Sequence, residues 1–118
     1  MMNTPLFRLA AALGFLAVAL GAFGAHALKA TLIANDTTEA WKTAVLYHFV
    51  HTVLLLILAL LPAVSRTPST LFVAGIVLFS GSLYLLALTN IKWLGAITPL
   101  GGLCFLAGWI YLVIWPPR

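Results

Sequence analysis

The chain has 118 residues, 64% of them hydrophobic and only 7% charged, with six Lys or Arg against two Asp or Glu. A soluble domain carries about 25% charged residues, so this composition excludes an ordinary soluble domain, a disordered chain and a secreted disulfide scaffold. The single cysteine, Cys104, also excludes an internal disulfide.

What remains is a polytopic membrane protein whose first partner is the lipid bilayer. The net charge of +4 does not indicate a nucleic-acid partner. Arg8, Lys29, Lys42, Arg66, Lys92 and Arg118 are scattered singly, whereas nucleic-acid binders gather their cations on one face. Each cation lies at or near the end of an apolar run, where Lys and Arg anchor helices at the headgroups.

Four apolar runs follow in chain order, at about 6–28, 41–61, 70–89 and 95–115. Each is about 20 residues, the length an α-helix needs to cross a ~30 Å hydrocarbon core. The alternating pattern of a membrane β-barrel is absent. The expected fold is therefore all-α: a single integral membrane domain over residues 1–118, an antiparallel four-helix transmembrane bundle with short loops.

The first run follows Thr4-Pro5, a hydroxyl N-cap before a proline suited to the first helical position. With Ala25-His26-Ala27 at its end it imitates a cleavable signal. It is longer than the apolar core of such a signal, so a retained span is expected. Before the second run, Asp36 and Glu39 have the spacing of a capping box. Pro62 is expected to end the second helix. Thr67-Pro68 is expected to start the third and Asn90 to cap its end. The fourth either starts at Thr98-Pro99 or begins near Trp93 and kinks at Pro99. Trp41, Trp93 and Trp115 read as an interfacial belt.

Lipid supplies little hydrophobic drive between helices, so small residues that allow close approach take over. Gly14, Gly21 and Gly24 on the first helix, Gly75 on the third, and Gly102 and Gly108 on the fourth are the expected packing positions. The second helix has no glycine and offers Ala44, His48, His51, Leu55 and Leu58 on one face.

Polar groups inside a membrane are functional candidates by default. Counted from Trp41 at 1.5 Å per residue, His48 lies roughly 10 Å deep and His51 roughly 15 Å. Tyr84, Ser82 and Ser80 reach similar depths in the third helix, with His26 shallower at the end of the first. His26, His48, His51, Ser80, Ser82 and Tyr84 thus form a candidate intramembrane polar site. One interpretation is a neutral hydrogen-bond network that fixes helix register. The other is a proton, small-ligand or metal site, with His48 and His51 as the metal candidates, since histidine is the commonest metal ligand and titrates near neutrality. No carboxylate lies inside any span, which argues for the network.

Four stretches together resemble a known family. They are Gly21-Ala22-Phe23-Gly24-Ala25-His26-Ala27-Leu28-Lys29; Trp41-Lys42-Thr43-Ala44 with Tyr47, His48 and His51; Leu78-Phe79-Ser80-Gly81-Ser82-Leu83-Tyr84; and Leu94-Gly95-Ala96-Ile97-Thr98-Pro99-Leu100-Gly101-Gly102. The chain resembles, over essentially its whole length, the small four-helix membrane proteins of domain of unknown function 423, whose eukaryotic relatives are called transmembrane protein 256. The resemblance implies an integral membrane protein, in bacteria of the plasma membrane, and implies no assigned activity.

The residues themselves point to a structural or accessory protein acting through helix packing, alone as a homo-oligomer or within a larger membrane complex. The alternative is a transporter or channel subunit for protons, a metal or a small solute. No enzymatic activity and no cofactor are expected. An even number of spans puts both termini on one side, read as cytoplasmic, although the Lys and Arg residues divide three against three between the two sides.

Overall fold

Every backbone N–H and C=O must find a partner inside a bilayer, and helices achieve this within their own segment. The computed structural model describes residues 1–62 and 64–117. Its four long helices are Thr4–Ala25, Thr38–Leu60, Arg66–Thr89 and Lys92–Ile114, each long and apolar enough to cross a membrane. A short helix, Lys29–Ala34, lies between the first and second long helices.

The helix ends show where local sequence rules hold and where they are overridden. Asn3, not Thr4, caps the first helix: its side chain accepts from the Leu6 N–H at 3.1 Å. That helix stops at Ala25, short of the expected Leu28, and Leu28 N–H turns back to the Phe23 carbonyl at 2.8 Å. Asp36 does not form a capping box with Glu39. It takes a left-handed conformation, φ 55°, just after the short helix, one that Asp adopts more readily than most residues. Glu39 instead faces Lys42 at 3.7 Å. The third helix is capped by Ser65, whose Oγ accepts from the Thr67 N–H at 3.2 Å, rather than by Thr67 itself. Asn90 ends it in the left-handed region at φ 58°. The fourth begins as a 3₁₀ turn, Lys92–Ala96, and continues as the α-helix Thr98–Ile114.

One loop holds its place by capping a neighbour. Thr37 Oγ1 donates to the Ala87 carbonyl at 2.8 Å, and Asn35 Nδ2 donates to the same oxygen at 3.0 Å. Carbonyls in a helix's last turn lack intrahelical donors. The polar loop supplies donors to the end of the third helix, and the Thr37 side chain, turned towards Ala87, makes no cap bond to its own helix.

The first helix packs on the second, the second on the third, and the third on the fourth. Between the first and second, Asn3 N–H donates to the Ala59 carbonyl at 2.8 Å, Gly14 faces Thr52, Gly21 faces Val45 and Gly24 faces Trp41. Between the third and fourth, Phe72 meets Gly108, Gly75 meets Phe105, Phe79 meets Gly101 and Ser82 meets Thr98. In both pairs, early residues of one helix meet late residues of the other.

The glycines divide by need. An added Cβ at Gly24, Gly75 or Gly108 would overlap the ring of Trp41, Phe105 or Phe72. At Gly101, which the seam pattern does not single out, it would overlap the backbone of Phe79. Gly14, Gly21 and Gly102 leave ordinary room, with nearest atoms at 3.5, 3.5 and 3.9 Å. The Gly101 approach falls on a π turn, Ile76–Ser80, in the middle of the third helix. A single π turn re-phases the residues beyond it, here Gly81–Thr89, which carries Ser82 and Tyr84.

Candidate intramembrane polar site

His48 and His51, three residues apart, are both buried, yet they serve different partners. His48 Nδ1 pairs with the Tyr84 hydroxyl at 2.8 Å, joining the second helix to the third. His51 Nδ1 lies 2.8 Å from the Tyr47 carbonyl one turn back. On its other edge, Trp109 of the fourth helix donates its indole N–H to His51 Nε2 at 3.1 Å.

The donor inventory fixes the state of His51. An indole N–H only donates and a carbonyl only accepts. Nε2 therefore carries a lone pair, and the ring proton sits on Nδ1, donated to Tyr47. The neutral imidazole has both nitrogens used. Its ring also stacks on Phe105 with centroids 3.7 Å apart and planes 11° apart. A proton or metal arriving at Nε2 has to displace Trp109.

His48 is less complete. Its Nε2 alone among the buried side-chain nitrogens and oxygens of the described residues lacks a hydrogen bond of good geometry, although the Leu13 backbone of the first helix lies close enough to interact with the ring. A buried unpaired group of this kind costs about 1–3 kcal/mol. Nearby, Thr52 Oγ1 donates to the His48 carbonyl at 2.7 Å.

The hydroxyls bind helices to each other. Ser80, at the end of the π turn, donates to the Ala44 carbonyl at 2.8 Å. Ser82 and Thr98 share a hydrogen bond at 2.6 Å, which links the third and fourth helices. Thr98 spends its hydroxyl there and does not occupy the N-cap position, which falls on Ile97.

The six candidate residues therefore form several separate contacts rather than one cluster. His48 and Tyr84 meet, whereas His51, Ser80 and Ser82 each bond elsewhere. His26 is exposed in the turn after the first helix, away from the others. Among the described residues, no three His, Cys, Asp or Glu side chains group as metal ligands.

Two tryptophans take part that helical spacing does not identify. Trp109 is the partner of His51. Trp41 is buried rather than interfacial: its ring lies against Gly24 and 4.9 Å from Tyr84, and its Nε1 donates to the Leu20 carbonyl at 2.9 Å. Trp93 and Trp115 are well exposed, as an interfacial belt requires. The Trp109–His51 bond joins the fourth helix to the second, so it depends on interhelical register and not on spacing within either helix.

These features define a class: a small four-helix membrane protein whose apolar interior is crossed by separate side-chain hydrogen bonds, with little structure outside the spans. The chain belongs to the family described as "Protein of unknown function (DUF423)", which matches residues 20–102. It is 48% identical over 105 residues to the UPF0382 membrane protein YwdK of Bacillus subtilis, covering 84% of this chain and 85% of that protein. It is 45% identical over 113 residues to the UPF0382 inner membrane protein YgdD of Escherichia coli K12, covering 89% and 83%. A third relative, the UPF0382 membrane protein SAB0533 of Staphylococcus aureus, is 44% identical over 103 residues, covering 84% of each chain. No solved structure matches.

Proposed function

We propose that this protein is a structural or accessory component of the bacterial plasma membrane that acts through helix packing, as a homo-oligomer or within a larger membrane complex. It has no catalytic role in this reading, and both termini face the cytoplasm. The supporting observation is the Tyr47–His51–Trp109 arrangement, in which both imidazole nitrogens already serve the fold. Asp36 lies in the loop and Glu39 in the first turn of the second long helix, both exposed, so neither supplies a buried acid to work with a histidine. The "inner membrane" name of a relative supports the location. Cross-linking in native membranes tests the role: the full-length chain is expected to capture itself or a defined partner. A lone monomer in mild detergent, with no cross-linked species in membranes, overturns it. Reporter fusions at the two ends test the orientation.

A second reading, a proton or small-solute transporter or channel subunit, draws its support from the unpartnered Nε2 of buried His48. Four helices enclose little space, so such a pore needs several copies. Flux through reconstituted protein that is unchanged by His48→Ala and His51→Ala rejects it.

A further inference from the structure

We infer that the cleft between the first and second helices binds an anionic phospholipid, with an acyl chain in the cleft and the phosphate between Lys29 and Lys42. The inference is independent of the proposed role, because His48, His51 and Tyr84 do not line this cleft. The cleft measures about 870 Å³ and its walls are almost wholly apolar. Ala17, Gly21 and Ala22 form one side, Val45 and Phe49 the other, and Lys29 and Lys42 also line it. Gly21 faces Val45 there, with the valine methyl 3.5 Å from where a Cβ would stand.

The shape suits an acyl chain. Lys42 and Phe49 lie on one helix, about 10 Å apart along its axis at 1.5 Å per residue. A groove of that depth, apolar along its walls and cationic among its lining residues, complements a lipid with a negative headgroup. Glu39 competes for Lys42 at 3.7 Å, but both side chains are largely exposed. Exposed pairs of this kind contribute little, so Glu39 does not hold Lys42 away from a phosphate. Lys29 forms no ion pair among the described residues. A zwitterionic headgroup brings its own cation towards the lysines and gains less.

Lipid association read by electron spin resonance tests this. The full-length chain is reconstituted in phosphatidylcholine vesicles carrying a trace of spin-labelled phosphatidylglycerol, or of spin-labelled phosphatidylcholine. Each lysine is expected to favour the anionic label roughly fivefold. The preference should fall to near parity in the Lys29→Gln, Lys42→Gln double variant. It should also fall in Ala22→Phe, which keeps both charges and fills the cleft from an exposed position. Circular dichroism with a single monodisperse peak qualifies each variant as folded. Equal association of the two labels with the unaltered chain overturns the inference. So does an anionic preference that survives Ala22→Phe in folded protein, because the lysines then attract lipid without the cleft.

Discussion

Trp109 donates its indole N–H to Nε2 of His51 at 3.1 Å, joining the fourth helix to the second. The bond sets the tautomer of the histidine and uses its last free lone pair. Trp109→Phe keeps an aromatic ring against Phe72, to which Trp109 packs edge-on at 5.6 Å, and removes the donor together with part of the indole's bulk. The hydrogen bond contributes about 0.6–1.7 kcal/mol of the expected loss, the range for interhelical hydrogen bonds in membranes, and lost packing adds to it. Thermal unfolding in detergent reads it as a lowered Tm. In a double-mutant cycle with His51→Phe, the two losses should be less than additive; full additivity would mean the two side chains do not interact.

Gly101 should be the least replaceable glycine of the fourth helix. A Cβ there meets the backbone of Phe79, which cannot rotate away as a ring can. Gly101→Ala is expected to cost about 1–3 kcal/mol, the range for overpacking a tight contact. Gly14→Ala, with its nearest neighbour at 3.5 Å, should be neutral or slightly stabilising, since alanine is the better helix former. Thermal unfolding of the two variants side by side checks the order.

Tyr84 and His48 should behave as a unit. Tyr84→Phe strands the second nitrogen of an imidazole whose first is already unpaired. The expected loss is about 1–3 kcal/mol, the penalty for an unsatisfied buried group. Adding His48→Leu removes both stranded nitrogens and should recover part of that stability. A double variant less stable than Tyr84→Phe alone would show that the imidazole stabilises the fold by some route other than this bond.

The loop caps predict a local effect. Thr37→Val removes the donor to the Ala87 carbonyl while keeping the shape of the side chain. Hydrogen exchange should speed up in the last turn of the third helix, near Leu88 and Thr89, with little change at the centre of the span. Unchanged exchange at that end would mean the Thr37 bond adds nothing to the hold of Asn35 on the same carbonyl.

The spans are legible in sequence because hydrocarbon thickness imposes a run length that few other constraints mimic. Asn90 is legible too, since few residues besides glycine accept the left-handed conformation that ends a helix. Asp36 misleads for a related reason. Its spacing to Glu39 fits a capping box, yet its tolerance of the left-handed region lets it terminate the short helix instead. The site is less legible than the fold. That His48 and His51 share a helix face follows from their spacing. That they bond to different helices depends on interhelical register, which periodicity within one helix does not encode. The π turn at Ile76–Ser80 has no local signature, and its interlock with Gly101 needs both helices at once.

The central claim is that the interior side-chain hydrogen bonds fix helix register and do not conduct. Its most direct test is dissipation of an imposed pH gradient by proteoliposomes loaded with a pH-sensitive dye. The account predicts decay no faster than in protein-free vesicles, and no change on His48→Ala or His51→Ala. Faster decay that His48→Ala abolishes would contradict it and assign a proton pathway to the unpartnered nitrogen of His48.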